Sequence, residues 1–336
     1  KAIEITPDDA EAHSNLGVML QELGRLEEAE ATLRQAITLK PDYAEAHYNL
    51  GVMLQELSRL DEAEASYRQV ILLKPDYTQA HSNLGNVLQE LGRLEEAETS
   101  YTQAIVLRPD YADAHCNLGT MLEEMGRLDE AEACYRIAIS LKPDLVGAYS
   151  NLGNTLKELG KLEEAEASYR QAIVLKSNFS EAHINLGNTL KELGRLEDAE
   201  ASYIQAIVLE PDDAVGHSNL AITLQELGRL DEAEASCRQA IVLKPDYAEA
   251  HYNLGIILQE LGRLEEAEVS YGQAIVLKPD SGFFKNRWAL LFKKGDFEAA
   301  LKDSKSCNTK KWRQHNLETL YALGLKEEVY QRIEIE

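Results

Sequence analysis

Cysteine is scarce in this sequence, which has four among its 336 residues: Cys116, Cys134, Cys237 and Cys307. No two of them are spaced as C-x-x-C, and their density is far below that of a disulfide scaffold. We therefore interpret all four as reduced thiols in packed positions. Such usage favours a cytoplasmic location, because free thiols persist in reducing compartments.

Basic charge and long apolar runs are also lacking. Lys and Arg number 34 against 58 Asp and Glu, which gives a net charge of −24. A chain this acidic is repelled by phosphate backbones and anionic lipids, so nucleic acid and membrane surfaces are excluded as expected partners. The deficit lies in residues 1–281, since residues 282–336 carry eleven Lys and Arg against eight Asp and Glu. No apolar run approaches the roughly 20 residues that span a bilayer.

Catalytic motifs are absent as well. The sequence contains no H-E-x-x-H, G-x-S-x-G or G-x-G-x-x-G motif. The nearest phosphate-loop pattern, from Gly153 to Lys161, has six residues between its glycines and Leu162 where Ser or Thr is required. We expect this chain to be no enzyme itself and to need neither a cofactor nor a metal.

What the sequence does have is a repeat of 34 residues. Its copies begin at Ala10, Ala44, Thr78, Ala112, Val146, Ser180, Ala214 and Ala248. A period of this length is typical of a solenoid, because one short unit cannot bury its apolar face alone. We interpret residues 10–281 as eight repeats and residues 1–9 as the tail of a preceding repeat cut inside its helix. Residues 282–336 are expected to form a degenerate ninth repeat (282–309) and capping helices (310–336).

Each copy predicts two helices, here called A and B. In the second copy Ala46, Leu50 and Leu54 belong to an apolar stripe with helical spacing, and a second stripe begins at Leu60. Asp42, with Glu45 three residues later, is expected to cap helix A. The turn between the helices carries glycine in every copy except the second, which has Ser58.

These residues resemble the tetratricopeptide repeat (TPR) family. Leu50, Gly51, Ala63, Tyr67 and Pro75 occupy five of its hallmark positions, and the pattern continues through residues 10–281. The resemblance implies an all-α fold, a right-handed α-solenoid of stacked antiparallel helix pairs. The family's bulky residue near the start of helix A is replaced by histidine in seven copies and by Tyr149 in the other.

The repeated histidines are candidate metal ligands by type. They are His13, His47, His81, His115, His183, His217 and His251. Equivalent residues on neighbouring helices lie roughly 8–10 Å apart, whereas two zinc ligands must each come within about 2 Å of one ion. We therefore interpret them as packing residues.

One polar residue recurs in the middle of every A helix and forms an asparagine ladder. Its members are Asn15, Asn49, Asn83, Asn117, Asn151, Asn185, Asn219 and Asn253. Asparagine is a mediocre helix former, so propensity does not explain it, while duplication or a bond to a neighbouring backbone group could. The residue before it varies freely, as at Ser14, Tyr48, Cys116 and Ile184, which argues against recent duplication. A peptide-binding role is the hypothesis we favour, because an amide offers both a donor and an acceptor.

The ladder is similar to that of the TPR superhelix of O-linked N-acetylglucosamine transferases. That resemblance implies that the eight asparagines line an inner groove and hold a substrate peptide by its main chain. The residues just beyond the ladder differ among copies: Val18, Val52, Ile222 and Ile256 near the ends, but Asn154 and Asn188 in the fifth and sixth copies, with Lys157 and Lys191. We expect these four polar residues to supply side-chain selectivity.

Three functions remain open on this basis. The first is a scaffold that binds an extended peptide or protein segment. The second is the substrate-recognition arm of a larger glycosyltransferase or other enzyme. The third is a structural scaffold that self-associates head-to-tail through an apolar end.

Overall fold

The computed structural model describes residues 8–279, 282–296 and 298–300, together with Gly324. Among these residues it has seventeen α-helices and no β-strand. The chain divides into two compact units, Lys1–Leu175 and Lys176–Glu336. None of the helices in the described part of the chain is long and apolar enough to cross a membrane.

The first unit contains five helix pairs. Its helices are α1 (Ala10–Glu22), α2 (Leu26–Leu39), α3 (Ala44–Glu56), α4 (Leu60–Leu73), α5 (Thr78–Glu90), α6 (Leu94–Leu107), α7 (Ala112–Glu124), α8 (Leu128–Leu141), α9 (Val146–Glu158) and α10 (Leu162–Leu175). Each helix packs against the next one along the chain, and each A helix also contacts the A helix of the next repeat. The unit is therefore a stack of antiparallel helix pairs, as the 34-residue period predicts.

The second unit repeats this arrangement. Its helices are α11 (Ser180–Glu192), α12 (Leu196–Leu209), α13 (Ala214–Glu226), α14 (Leu230–Leu243), α15 (Ala248–Glu260), α16 (Leu264–Leu277) and α17 (Phe284–Lys294). Three helix pairs are followed by α17, which packs against α16. The all-α solenoid class predicted from the sequence is confirmed.

The A helices end in left-handed turns. In the first repeat Gly24 has φ 72° and donates to the Gln21 carbonyl, while Arg25 donates to the Leu20 carbonyl, both at 2.9 Å. These two bonds form a Schellman motif, which satisfies carbonyls that the helix leaves open. Ser58 occupies the same position in the second repeat with φ 56°, so a side chain is held where glycine is favoured.

We expect Ser58→Gly to stabilise the first unit by about 1 kcal/mol, because it removes the cost of a left-handed Cβ. Urea unfolding followed by circular dichroism measures the change. The matched reverse variant, Gly92→Ser at the equivalent turn of the third repeat, should destabilise by a similar amount. Unchanged midpoints in both variants would contradict this account of the turn.

The predicted cap at Asp42 is wrong. Helix α3 begins at Ala44, and its N-cap residue is Tyr43, which makes no side-chain capping bond. Asp42 lies one residue too early to reach the first free amide groups. In the first and seventh repeats aspartate does occupy the N-cap position, and Asp9 and Asp213 each accept two backbone N–H bonds.

Close contact between the two helices of a repeat depends on one glycine. A Cβ placed on Gly51 would lie 2.8 Å from Cε1 of Tyr67, a ring that is fully buried. The sequence predicted close approach at Gly51, and the structure shows that the tyrosine ring needs this space. Cys237 replaces the tyrosine in the seventh repeat and is also fully buried. Cys116, Cys134 and Cys237 are free thiols, and Cys307 lies outside the described residues.

Arginines at the A–B turns join successive B helices. Arg59 pairs with Glu30 of the preceding repeat at 2.6 Å and with Glu62 of its own repeat at 2.7 Å. Arg93 and Arg127 repeat the pattern one and two copies later. Because these groups are partly exposed, each pair contributes little to stability, but together they neutralise carboxylates along the B helices.

The end of the eight-repeat array is covered by α17. Its Phe284, Trp288 and Leu291 are buried together with Ile275 of α16 and with Ala300. Gly295 ends the helix with φ 78°. The assignment of residues 282–309 to a degenerate ninth repeat stays a prediction. The predicted capping helices of residues 310–336 lie outside the described residues, apart from Gly324.

Candidate functional site

The asparagine ladder occupies the sixth position of each A helix. Asn15 is exposed and the other seven are half-buried. In the first unit the amide Nδ2 of each ladder residue after Asn15 reaches back to the preceding repeat. Asn49 donates to Ser14 Oγ (3.2 Å), Asn83 to Tyr48 OH (3.1 Å), Asn117 to Asn86 Oδ1 (2.9 Å) and Asn151 to Thr120 Oγ1 (3.2 Å).

The second unit follows the same rule. Asn219 donates to Asn188 Oδ1 at 3.3 Å, and Asn253 donates to Ser218 Oγ at 3.2 Å. Duplication and a structural bond to a neighbouring group were the two alternative explanations of the asparagine ladder. The second of them is therefore partly correct. The neighbour is a side chain of the previous A helix, whereas a backbone group was expected.

The acceptor of the ladder hydrogen bond lies at one of two positions in the preceding A helix. Where the ninth residue is polar, as in Asn86, Thr120 and Asn188, that residue accepts the bond. Where the ninth residue is Val18, Val52 or Ile222, the fifth residue carries the hydroxyl instead, in Ser14, Tyr48 and Ser218. The residue before the ladder therefore does not vary freely, which corrects the interpretation from sequence.

Only half of each amide is used by these bonds. Among the described residues, no donor reaches Oδ1 of Asn49, Asn83, Asn117, Asn151, Asn219 or Asn253. Each NH₂ group also has a second hydrogen beyond the one engaged. Each of these asparagines therefore presents an acceptor, and each except Asn83, whose Nδ2 also donates to Tyr67 OH at 3.4 Å, presents a spare donor as well. The bond to the neighbouring repeat fixes the orientation of the amide plane.

A hydrogen-bonded network extends from the ladder along the A helices. Asn86 Oδ1 accepts from both Asn117 and Tyr101 OH, and the same hydroxyl lies 2.9 Å from Gln89 Oε1. Gln89 Nε2 in turn donates to Glu124 Oε1 at 2.7 Å. Burial raises the pKa of Tyr101 far above its usual value, so the hydroxyl keeps its proton. The sixth, ninth, twelfth and thirteenth residues of the A helices thus share one surface, which we call the ladder face.

The predicted selectivity residues lie on the ladder face of their own units. Asn154 accepts from Tyr169 OH at 2.6 Å, and Asn188 accepts from Tyr203 OH at 2.7 Å. Lys157 and Lys191 are half-buried at the twelfth position. Sequence reasoning missed Asn86, which holds the same ninth position in the third repeat. Comparing that one position across the aligned copies would have found it.

Carboxylates form a second row on the ladder face, at the thirteenth position. Gln21 donates to Glu56 at 2.6 Å, and Gln55 donates to Glu90 at 2.9 Å. Gln225 and Glu260 form the same pair in the second unit. In the fourth repeat Glu123 stands at the twelfth position instead of glutamine. It accepts from Tyr135 OH at 2.9 Å and from Thr155 Oγ1 at 3.2 Å, and burial raises its pKa above the usual value.

The repeated histidines connect helix A to the loop before it. His47 Nε2 lies 3.0 Å from the Pro41 carbonyl, and His81 Nε2 lies 2.8 Å from the Pro75 carbonyl. His115, His217 and His251 make the same contact. Burial lowers the pKa of His183, which favours its neutral form. No group of three or more metal-ligating side chains occurs in the part of the chain that the structure describes.

Stacked helix pairs of constant length define a helical-repeat protein of the solenoid class. Profiles described as tetratricopeptide repeat or TPR repeat match residues 1–31, 19–58, 42–109, 76–144, 153–194, 187–228 and 218–282. The chain therefore belongs to the tetratricopeptide repeat family, as its hallmark residues predicted. The narrower resemblance to O-linked N-acetylglucosamine transferases stays a prediction.

Solved structures resemble the chain in fold. The structure of pilF from Pseudomonas aeruginosa is 20% identical with a TM-score of 0.56, and the match covers 66% of this chain and 98% of pilF. YrrB, described as a TPR protein with an unusual peptide-binding site, is 24% identical with a TM-score of 0.48, over 58% of this chain and 97% of YrrB. No curated protein matched the chain.

Proposed function

We propose that this chain is a binding scaffold that holds an extended peptide on its ladder face through the asparagine ladder. The observation that carries the proposal is the open Oδ1 of six ladder residues, Asn49, Asn83, Asn117, Asn151, Asn219 and Asn253. An extended main chain presents alternating N–H and C=O groups, and an amide with a free acceptor and a spare donor pairs with both.

The repeat spacing suits an extended ligand. Adjacent packed helices lie about 8–10 Å apart, and an extended chain in the polyproline II conformation advances about 3.1 Å per residue with three residues per turn. One asparagine therefore meets the peptide about every third residue. Because the bond to the preceding repeat already fixes the amide, little side-chain entropy is lost on binding. Main-chain contacts supply affinity for many sequences, and the ninth and twelfth positions, including Asn154, Asn188, Lys157 and Lys191, supply selectivity.

The test removes three ladder residues together. Peptides selected from a random 15-residue display library on the intact chain are measured again by fluorescence anisotropy on the Asn83→Ala, Asn117→Ala and Asn151→Ala triple variant, in which all three changes lie in the first unit. We expect each Kd to rise at least tenfold, because three main-chain contacts are lost. Circular dichroism should show unchanged helix content.

A matched control removes three amides elsewhere. Gln103, Gln205 and Gln239 are exposed on B helices and form no hydrogen bond with any described residue. Their triple alanine variant should bind the selected peptides as the intact chain does. An unchanged Kd in the asparagine variant, or a library that yields no binding peptide, would refute the proposal.

A second candidate is the substrate-recognition arm of a larger glycosyltransferase. The asparagine run favours it, because the resemblance implies that such an arm holds its acceptor peptide by the main chain. In that case Ser- and Thr-rich acceptor sequences should dominate the peptides that the library yields.

A further inference from the structure

We infer that the ladder face of the first unit binds peptides that carry a basic side chain about every third residue. This inference rests on the proposed function and adds the chemical class of the ligand. It follows from how the carboxylates of the first unit are distributed, which of them have cationic partners, and how their spacing compares with that of an extended chain.

Carboxylates of the B helices that face the next repeat are neutralised. Glu64 lies 2.8 Å from Arg93, and Glu98 lies 2.8 Å from Arg127. Glu30 has a comparable partner in Arg59. Each of these carboxylates belongs to a cross-repeat ion pair. Little uncompensated negative charge is therefore available to a ligand on this side of the stack.

Carboxylates of the ladder face are not neutralised. Glu56, Glu90 and Glu124 are exposed, and each accepts a hydrogen bond from a neutral glutamine of the preceding repeat. Within the described part of the first unit, none of the three has a Lys, Arg or His partner. The glutamines fix the side chains in place but leave their charge available.

Glu123 adds a fourth carboxylate beside the last member of this row. It replaces the glutamine of the other early repeats and lies next to Glu124, with Tyr135 OH and Thr155 Oγ1 as its only described hydrogen-bond partners. Both are neutral donors, so a cation from outside the chain would supply the missing charge. A ligand ammonium or guanidinium group there would also favour the ionised form of the carboxyl group.

The row has the same period as the asparagine ladder, since both repeat once per A helix. A peptide held by its main chain in the extended polyproline II conformation has three residues per turn, so every third side chain would lie on the same side of the ligand and face the row. Lys or Arg at those places would meet Glu56, Glu90 and Glu124 in turn. Acidic ligands would meet a row of uncompensated negative charges in which each lies within about a Debye length of the next.

Three 15-residue peptides test the inference, built from repeats of Lys-Ser-Thr, Gln-Ser-Thr and Glu-Ser-Thr. Anisotropy titrations of the whole chain in 50 mM salt should give a Kd for the Lys peptide about tenfold below that of the Gln peptide, because three exposed ion pairs each contribute modestly. The Glu peptide should bind weakest. In 500 mM salt the difference should largely vanish.

Two charge-matched variants locate the effect. Glu56→Gln, Glu90→Gln and Glu124→Gln together should abolish most of the preference for the Lys peptide. Glu27, Glu95 and Glu163 are exposed on the side of the B helices opposite the buried alanines, and they have no ion pair with described residues. Their triple glutamine variant changes the net charge equally and should retain the preference.

The outcomes separate this inference from the function on which it rests. Equal affinities for the Lys and Gln peptides overturn the inference and leave the scaffold function standing. An equal loss of preference in both glutamine variants overturns it too, since net charge and not the ladder face would then select the ligand. If none of the three peptides binds and the random library also yields none, both proposals are refuted.

Discussion

Gly85→Ala is expected to destabilise the first unit by about 2–3 kcal/mol, a large effect for one added methyl group. The new Cβ would lie 2.6 Å from Cε1 and 2.7 Å from Cδ1 of Tyr101. That ring is fully buried, and its hydroxyl is held by Asn86 and Gln89, so it has no room to move aside. Urea unfolding followed by circular dichroism measures the loss.

The control for this variant is a second glycine of an A helix. Gly147 has a helical backbone, and a Cβ there would meet nothing within 4 Å. Gly147→Ala should leave stability unchanged or raise it by up to about 1 kcal/mol, as helix propensity predicts. If both alanine variants lose the same stability, contact with the tyrosine ring is not the cause.

The seventh repeat shows how the same site accommodates a methyl group. There Ala221 replaces the glycine and Cys237 replaces the tyrosine, and both side chains are fully buried. Tyr101→Cys should therefore offset part of the cost of Gly85→Ala. We expect the double variant to be more stable than the sum of the single effects by about 1–3 kcal/mol. Strict additivity would contradict a direct steric contact.

The sequence was sufficient for the fold because the fold is periodic. One 34-residue period determines the helix lengths, the turn positions and the order of packing. Where one copy gives an ambiguous prediction, the other copies resolve it. Single-residue details were less predictable. The sequence could not show whether Asp42 or Tyr43 is the N-cap residue, because the two choices differ by only one residue in where the helix begins.

The site was predictable in position and not in chemistry. The asparagine ladder stands out from sequence, yet which atoms of the amide remain open depends on where the neighbouring hydroxyl lies. In the second repeat that hydroxyl belongs to Tyr48, while in the fourth repeat the bond goes to Thr120. The change of hydrogen-bond acceptor between the fifth and ninth positions cannot be recognised in a single copy. It emerges only when each ladder residue is compared with the repeat before it.

A larger loss of stability is expected at helix α17. Trp288 is buried among Ile275, Phe284 and Leu291, and its ring lies 5.0 Å from that of Phe292. Trp288→Ala should cost about 3–5 kcal/mol, because it removes a large side chain from a packed cluster. In a stacked array that loss stays near the end where it occurs, since each repeat contacts only its neighbours.

Hydrogen exchange is therefore the appropriate measurement for Trp288→Ala. Amide protection should fall most in α16 (Leu264–Leu277), whose Ile275 would lose its cover, and should be nearly unchanged in α11 (Ser180–Glu192). Lys285→Ala, an exposed position on the same helix, should leave both patterns unchanged. A uniform loss of protection across the second unit would mean that its repeats unfold together. An unchanged α16 would mean that α17 does not cap the array.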